Sequence, residues 1–133
     1  MQIRSILNKT LLVAVTIISF TACVNPGKEV KFNNKNKIYV KDGATEDDAK
    51  KFGSYLQKMN YFSNDEKERA VQLLKKDNNY IANFVVDTVY LKQHPELYTS
   101  FKALESDFST NVFGGSKVVV NLVDPSLKEV KQQ

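Results

Sequence analysis

The sequence predicts an α+β domain in which helices cover one face of a sheet. Three observations predict it. Strand-like runs stand at both ends of the folded part, "KIYVK" and "KVVVNLVD". Apolar residues recur at helical spacing between them, at Ala49, Phe52, Leu56 and Met59, then at Leu97, Phe101, Leu104, Phe108 and Val112. In the middle, Asp77-Asn78-Asn79 separates two further strand-like runs with residues that tolerate the positive φ of a tight turn.

Taken in order, Lys37 to Lys41 alternates apolar and polar residues, as a half-buried strand does, and Asp42-Gly43 breaks it. Thr45 then offers an N-cap with Asp48 three residues on, a capping box for a helix that ends near Asn60. Phe62 is expected to fold back onto the core. The mixed-charge run "DEKER", Asp65 to Arg69, reads as a solvated connection. Ala70 to Leu91 reads as a hairpin. Pro95 suits the first turn of a second helix, which Gly114-Gly115 stops. Lys117 to Asp124 is the last strand, ended by Pro125, and Ser126 to Gln133 is a charged tail.

Strand, helix, strand, strand, helix, strand is the order of the split-βαβ, ferredoxin-like sandwich. It predicts one antiparallel sheet in the order 4-1-3-2, with both helices on one face and the first and third strands central. Simple sequential order is the alternative arrangement of the same elements.

The N-terminus reads as an address. Arg4 and Lys9 precede an eleven-residue apolar run, Thr10 to Phe20, and then come Thr21, Ala22 and Cys23. A basic start, a run of this length and small residues after it are the layout of a secretory signal. Spanning a bilayer takes about 20 apolar residues, so the run is too short. "FTAC", Phe20 to Cys23, resembles the lipobox of bacterial lipoproteins, with Phe where Leu is commonest. The resemblance implies cleavage before Cys23, a diacylglyceryl group on its thiol, and a mature protein held on a lipid bilayer. It also implies palmitate-type acylation in the cell envelope, facing the periplasm or exterior. Val24 stands where Asp retains lipoproteins on the inner membrane in the best-known sorting rule, which favours the outer membrane where there is one.

The expected organisation is therefore a signal peptide over 1–22, an acylated Cys and flexible linker over 23–36, a small α/β domain over 37–125, and a charged tail over 126–133. Val24 to Asn36 contains Pro26-Gly27 and four asparagines, and a free chain of this length spans about 20 Å. Removing residues 1–22 takes Arg4 and Lys9 from 19 basic residues set against 15 acidic, so the net charge falls from +4 to +2. That balance and the envelope address argue against nucleic acid as a partner. Cys23 is the only cysteine, so the domain has no internal disulfide. From Lys37 to Asp124 the chain is also similar to a small domain of other bacterial envelope proteins. The shared features are "DGATEDDAKKFGSYLQKMNYF", a hairpin, and "VFGGSKVVVNLVD". That resemblance implies a fold and no particular activity.

Little in the sequence points to catalysis. His94 is the only histidine, sits before Pro95, and has no G-x-S-x-G serine to serve. Glu46-Asp47-Asp48 fits the positive end of a helix dipole and lacks the oxygen-ligand loop of a calcium site. Gly114-Gly115 follows a helix, where a phosphate cradle precedes one. No cofactor is expected, and no enzymatic activity. The expected interaction surface is the sheet face opposite the helices. With Phe84, Val86, Val118, Val120 and Leu122 facing the helices, that face carries Tyr39, Ile81, Asn83, Val85, Val119, Asn121 and Val123. A mostly apolar surface with two central asparagines suits an envelope protein partner or a homodimer. The alternative is a small-ligand or cell-wall glycan site using exposed tyrosines, and a hydrolase centred on His94 is the third reading.

Overall fold

The computed structural model describes residues 24–132, so Cys23 and the signal-like segment lie outside the described residues. Five strands form one sheet in sequential order: β1 (Lys28–Lys31), β2 (Asn36–Lys41), β3 (Arg69–Lys76), β4 (Asn79–Val85) and β5 (Val118–Val123). Helix α1 (Glu46–Lys58) connects β2 to β3. The segments α2 (Thr88–Gln93), α3 (Glu96–Lys102) and α4 (Leu104–Asn111) connect β4 to β5. The mixed α/β architecture is as the sequence predicts, but the sheet is mixed rather than antiparallel. β1–β2 and β3–β4 are antiparallel, and β2–β3 and β4–β5 are parallel.

The ferredoxin-like order fails for a physical reason. β1 lies in the stretch expected to be free linker, and it occupies one edge of β2. With that edge taken, β2 has room for one more neighbour and cannot stand between β4 and β5. Each strand–helix–strand unit instead closes on its adjacent strand, which makes the pair parallel. The hairpin strand β3 becomes the middle of the sheet, and its first five residues, Arg69 to Leu73, are all buried.

Local chemistry explains the boundaries. Thr45 Oγ1 accepts from the Asp48 N–H at 3.1 Å and an Asp48 carboxylate oxygen accepts from the Thr45 N–H at 3.0 Å, the expected capping box. Asn60, at φ 64°, ends α1, and the Tyr61 and Phe62 N–H groups both return to the Leu56 carbonyl. Asp77 and Asn78, at φ 52° and 66°, make the two-residue turn between β3 and β4. The hairpin is shorter than expected. β4 ends at Val85, and the side chain of Asp87 accepts from the Val89 N–H at 3.0 Å, so Thr88 to Gln93 turn into a helix. The second expected helix is interrupted at Ala103. Next to that point a Glu105 carboxylate oxygen accepts from the Val120 N–H on the outer edge of β5 at 2.7 Å.

All helical segments bury their apolar stripes on the same sheet face, packing Phe52, Leu56, Leu97, Phe101 and Phe108 against Ile38, Val71, Phe84, Val120 and Leu122. Phe52 stands edge-on to Phe108 with ring centroids 4.9 Å apart, and Tyr80 stacks on Phe113 at 4.0 Å. Arg69 is fully buried at the end of this core rather than solvated as its "DEKER" context suggests. Its guanidinium donates to both oxygens of Asp65, at 2.7 and 2.8 Å. The tail is ordered too. The Val130 N–H donates to the Leu122 carbonyl at 2.8 Å, Val123 bridges Glu129, and Leu127 packs on the cluster of Tyr39, Ala70, Val85 and Val123.

The contact that fastens β1 to the core gives a first expected result. A methyl group at Gly53 of α1 would overlap the ring of Phe32, which follows β1 and packs on Phe62 with centroids 5.4 Å apart. Gly53→Ala gains up to about 1 kcal/mol of helix propensity. It displaces an aromatic ring whose burial is worth about 1.5–3 kcal/mol. The net expectation is a loss of about 1–2 kcal/mol on thermal unfolding. In a Phe32→Ala background the same substitution should become stabilising. An additive double mutant would contradict the contact.

Candidate functional site: the sheet face opposite the helices

Pleating sends alternate residues of each strand to the face away from the helices, and the register sets those residues in rows. One row runs Glu29, Tyr39, Gln72, Asn83, Asn121 across all five strands. Within it the amides bond in series. Asn121 Nδ2 donates to Asn83 Oδ1 at 3.1 Å, and Asn83 Nδ2 donates to Gln72 Oε1 at 2.9 Å. Gln72 Nε2 donates in turn to the carbonyl of Pro26 at 3.0 Å. Each amide thus orients the next, which fixes donor and acceptor directions along the face.

On one side of this row lie Leu74, Ile81 and Val119 in register, partly exposed, with Lys41 beyond them on β2. On the other side Ala70, Val85 and Val123 form a small buried cluster with Tyr39, and Leu127 packs against it. Burial pushes the Tyr39 hydroxyl up from its ordinary pKa, and the carboxylates of Glu29 and Glu68 push it further.

The predicted partition of the two faces holds. Phe84, Val86, Val118, Val120 and Leu122 all belong to the helix-side core. Tyr39, Ile81, Asn83, Val85, Val119 and Asn121 all fall on the opposite face by register, but they do not form one open apolar surface. Val85 and Val123 are 1% and 2% exposed, and Tyr39 is 9% exposed. Ile81, Asn83, Val119 and Asn121 remain partly exposed. Sequence reasoning missed Gln72, the residue that ties the ladder to the N-terminal segment. The alternation of Ala70, Gln72 and Leu74 against Val71 and Leu73 was the signal that places it there.

Asn25 and Pro26, expected to be part of a free tether, are fixed on this face. The carbonyl of Asn25 accepts from Lys41 Nζ at 3.0 Å, beside the Pro26 carbonyl already bound by Gln72. Gly27, at φ 110°, passes so close to the Val40 carbonyl that no side chain fits there.

The other candidates have simpler surroundings. His94 stacks on Tyr90 with centroids 4.1 Å apart, and its Nδ1 lies 3.2 Å from a Glu96 oxygen. Asp48 is used by the capping box and by the Tyr80 hydroxyl, which donates to it at 3.1 Å, and Glu46 pairs with Lys28. Among the described residues no group of three or more His, Cys, Asp or Glu is placed to hold a metal ion, and no helix is long and apolar enough to cross a membrane. A groove of about 340 Å³ runs between α3, β5 and the tail, with Tyr98, Phe101, Leu122 and Val130 in its walls.

These features define a two-layer α/β domain with one face closed by helices and the other carrying an ordered polar ladder beside a small apolar patch. Residues 29–133 match the model of the AF_1994_N family N-terminal domain, and the chain belongs to that family. No curated protein and no solved structure matches it.

Proposed function

We infer that the chain is a lipid-anchored, non-catalytic domain of the bacterial cell envelope that works by surface contact through the sheet face opposite the helices. The observation that carries this reading is the amide series Gln72–Asn83–Asn121 beside the partly exposed Ile81 and Val119. A surface with fixed hydrogen-bond directions next to apolar side chains has the composition of a contact region. The "FTAC" resemblance supports the anchor at Cys23, with the outer membrane as the destination suggested by Val24. The ferredoxin-like arrangement has no part in this reading, since the contact face is built by the sequential sheet.

The anchor is tested by expressing the full chain and its Cys23→Ser variant in a bacterial host and fractionating the cells. The wild type should sediment with membranes and carry acyl mass on Cys23. The variant should move to the fraction that detergent is not needed to release. Two or more acyl chains at about 0.8 kcal/mol per buried CH2 make that shift nearly complete. A variant that stays with the membrane fraction to the same extent overturns the anchor.

A second reading rests on the groove beside Tyr98, whose volume of about 340 Å³ lies in the range of small-ligand sites. Under it, soluble cell-wall glycan fragments should raise the melting temperature, and Tyr98→Ala should abolish the rise.

A further inference from the structure

We propose that the occupant of this face is the anionic bilayer itself, so that the domain lies sheet-down on the membrane that anchors it. The proposal rests on the lipid-anchor reading and adds to it the orientation and the partner.

Two observations carry it. The first is charge. By register and alternation the strand positions on this face hold Lys31, Lys37, Lys41 and Lys76, with Lys117 just before β5, against one acid, Glu29. Glu29 is already shared between Lys31 at 3.7 Å and Lys37 at 3.9 Å. At the rim, Glu68 is matched by Lys35 at 3.9 Å. The helix side is closer to balanced, since Glu46, Asp47 and Asp48 of α1 stand with Lys50, Lys51 and Lys58, and Glu96, Glu105 and Asp107 of α3 and α4 stand with Lys92 and Lys102. A chain with little net charge therefore carries most of its positive surplus on one face. Lys41, Lys76 and Lys117 flank Ile81 and Val119, and Lys31 and Lys37 lie beyond the amide row, an arrangement that suits headgroup phosphates around shallow apolar contacts.

The second observation is the path of the chain. Asn25 and Pro26 are bonded to Lys41 and Gln72 on this same face. Only Val24 separates Cys23 from Asn25. At no more than about 3.6 Å per residue, covalent reach keeps Cys23 within about 11 Å of Pro26. Acyl chains entering the bilayer at Cys23 leave no length for the domain to turn its lysine-rich face away while those bonds hold.

The test uses the full chain expressed in a bacterial host, with acylation of Cys23 confirmed by mass. The purified protein is reconstituted into vesicles of phosphatidylcholine, with or without roughly a third of phosphatidylglycerol. A membrane-impermeant amine reagent is added, and the labelling of each lysine is read by peptide mass spectrometry. Lys31, Lys37, Lys41 and Lys117 should react about five-fold more slowly with phosphatidylglycerol present, relative to the exposed helix-side Lys50, Lys58 and Lys92. At 1 M salt, where the screening length falls to about 3 Å, the difference should collapse. Equal rates on the two sides of an acylated protein overturn the proposal and leave the anchor standing. Protection in intact cells but not in vesicles overturns it in favour of a protein partner. A Cys23 without lipid overturns the anchor and the proposal together.

Discussion

Asp65→Asn should lower the stability of the domain by about 2–3 kcal/mol, because it takes the charge from the carboxylate that neutralises a fully buried guanidinium. Arg69 is 0% exposed and donates to both oxygens of Asp65, while its guanidinium carbon lies 6.0 Å from the centre of the Tyr61 ring. Breaking a wholly buried pair typically costs about 3–5 kcal/mol. Asp65 is 40% exposed, so water reaches its outer side and moderates the loss. For a domain of this size the expected drop in melting temperature is roughly 10–20 °C.

The same pair sets an acid limb. Hydrogen bonds from Arg69 hold the Asp65 carboxyl down at about 2, against a partial desolvation that pushes it up and from an ordinary value of 3.8. A folded-state pKa below the unfolded one means the stabilisation is complete above the unfolded value and is lost as the pH falls from about 4 toward 2. Melting curves followed by circular dichroism between pH 5 and pH 2 should show that decline in the wild type. In Asp65→Asn the limb should be shallower. An unchanged limb would mean that other carboxylates govern the acid response.

Val85→Glu should be at least as damaging, although alternation alone places Val85 on an open surface. The side chain is 1% exposed, clustered with Tyr39, Ala70 and Val123, and Leu127 packs against that cluster. An ionised carboxylate there has no described partner, and burial of an unpaired charge costs several kcal/mol. One escape is open to the variant. If the tail lifts, the introduced carboxylate reaches water and the cost falls to that of undocking Leu127. A Leu127→Ala background separates the two, since the effect of Val85→Glu should shrink there if the tail is what gives way. Chemical denaturation of the four proteins reads the coupling directly. Ile81→Glu, on the same strand and partly exposed, should change stability by less than about 1 kcal/mol. Equal losses at the two positions would contradict the cover provided by Leu127.

The contrast between Val85 and Ile81 shows where the sequence stops being informative. Both belong to the same alternating run, so periodicity places them on the same face and is right to do so. Val85 belongs to the cluster against which Leu127 packs and Ile81 does not, and Leu127 reaches that cluster through a backbone at φ 64°. Nothing local to Leu127 announces that geometry. The capping box at Thr45 and Asp48 and the turn at Asp77-Asn78 were legible because each is decided within four residues. β1 was not, since only Val30 of its four residues packs on the core and its stability comes from pairing with β2. Missing that strand also cost the sheet order, because the occupied edge of β2 is what excludes the ferredoxin-like arrangement. Arg69 was misread for a related reason. A charged run looks solvated until the carboxylate that satisfies its buried member is located in space. The sheet face opposite the helices is legible as a face, but its lysine surplus is dispersed over four strands and becomes one surface only once the register is known.

Under the proposed anchor, the ends of the sheet bear on how copies would behave at high local density in a membrane plane. An unprotected sheet edge is a template on which neighbouring copies add strands. On β5 the outward Val120 N–H is held by Glu105 and the outward Leu122 carbonyl by Val130, and on the far side β1 is half lysine. One rim is partly capped and the other is short and charged, which discourages strand addition by a neighbour. Copies held on one bilayer by the proposed anchor would be guarded against edge-to-edge polymerisation, and contacts between them would be left to faces, where side chains rather than backbone decide what binds.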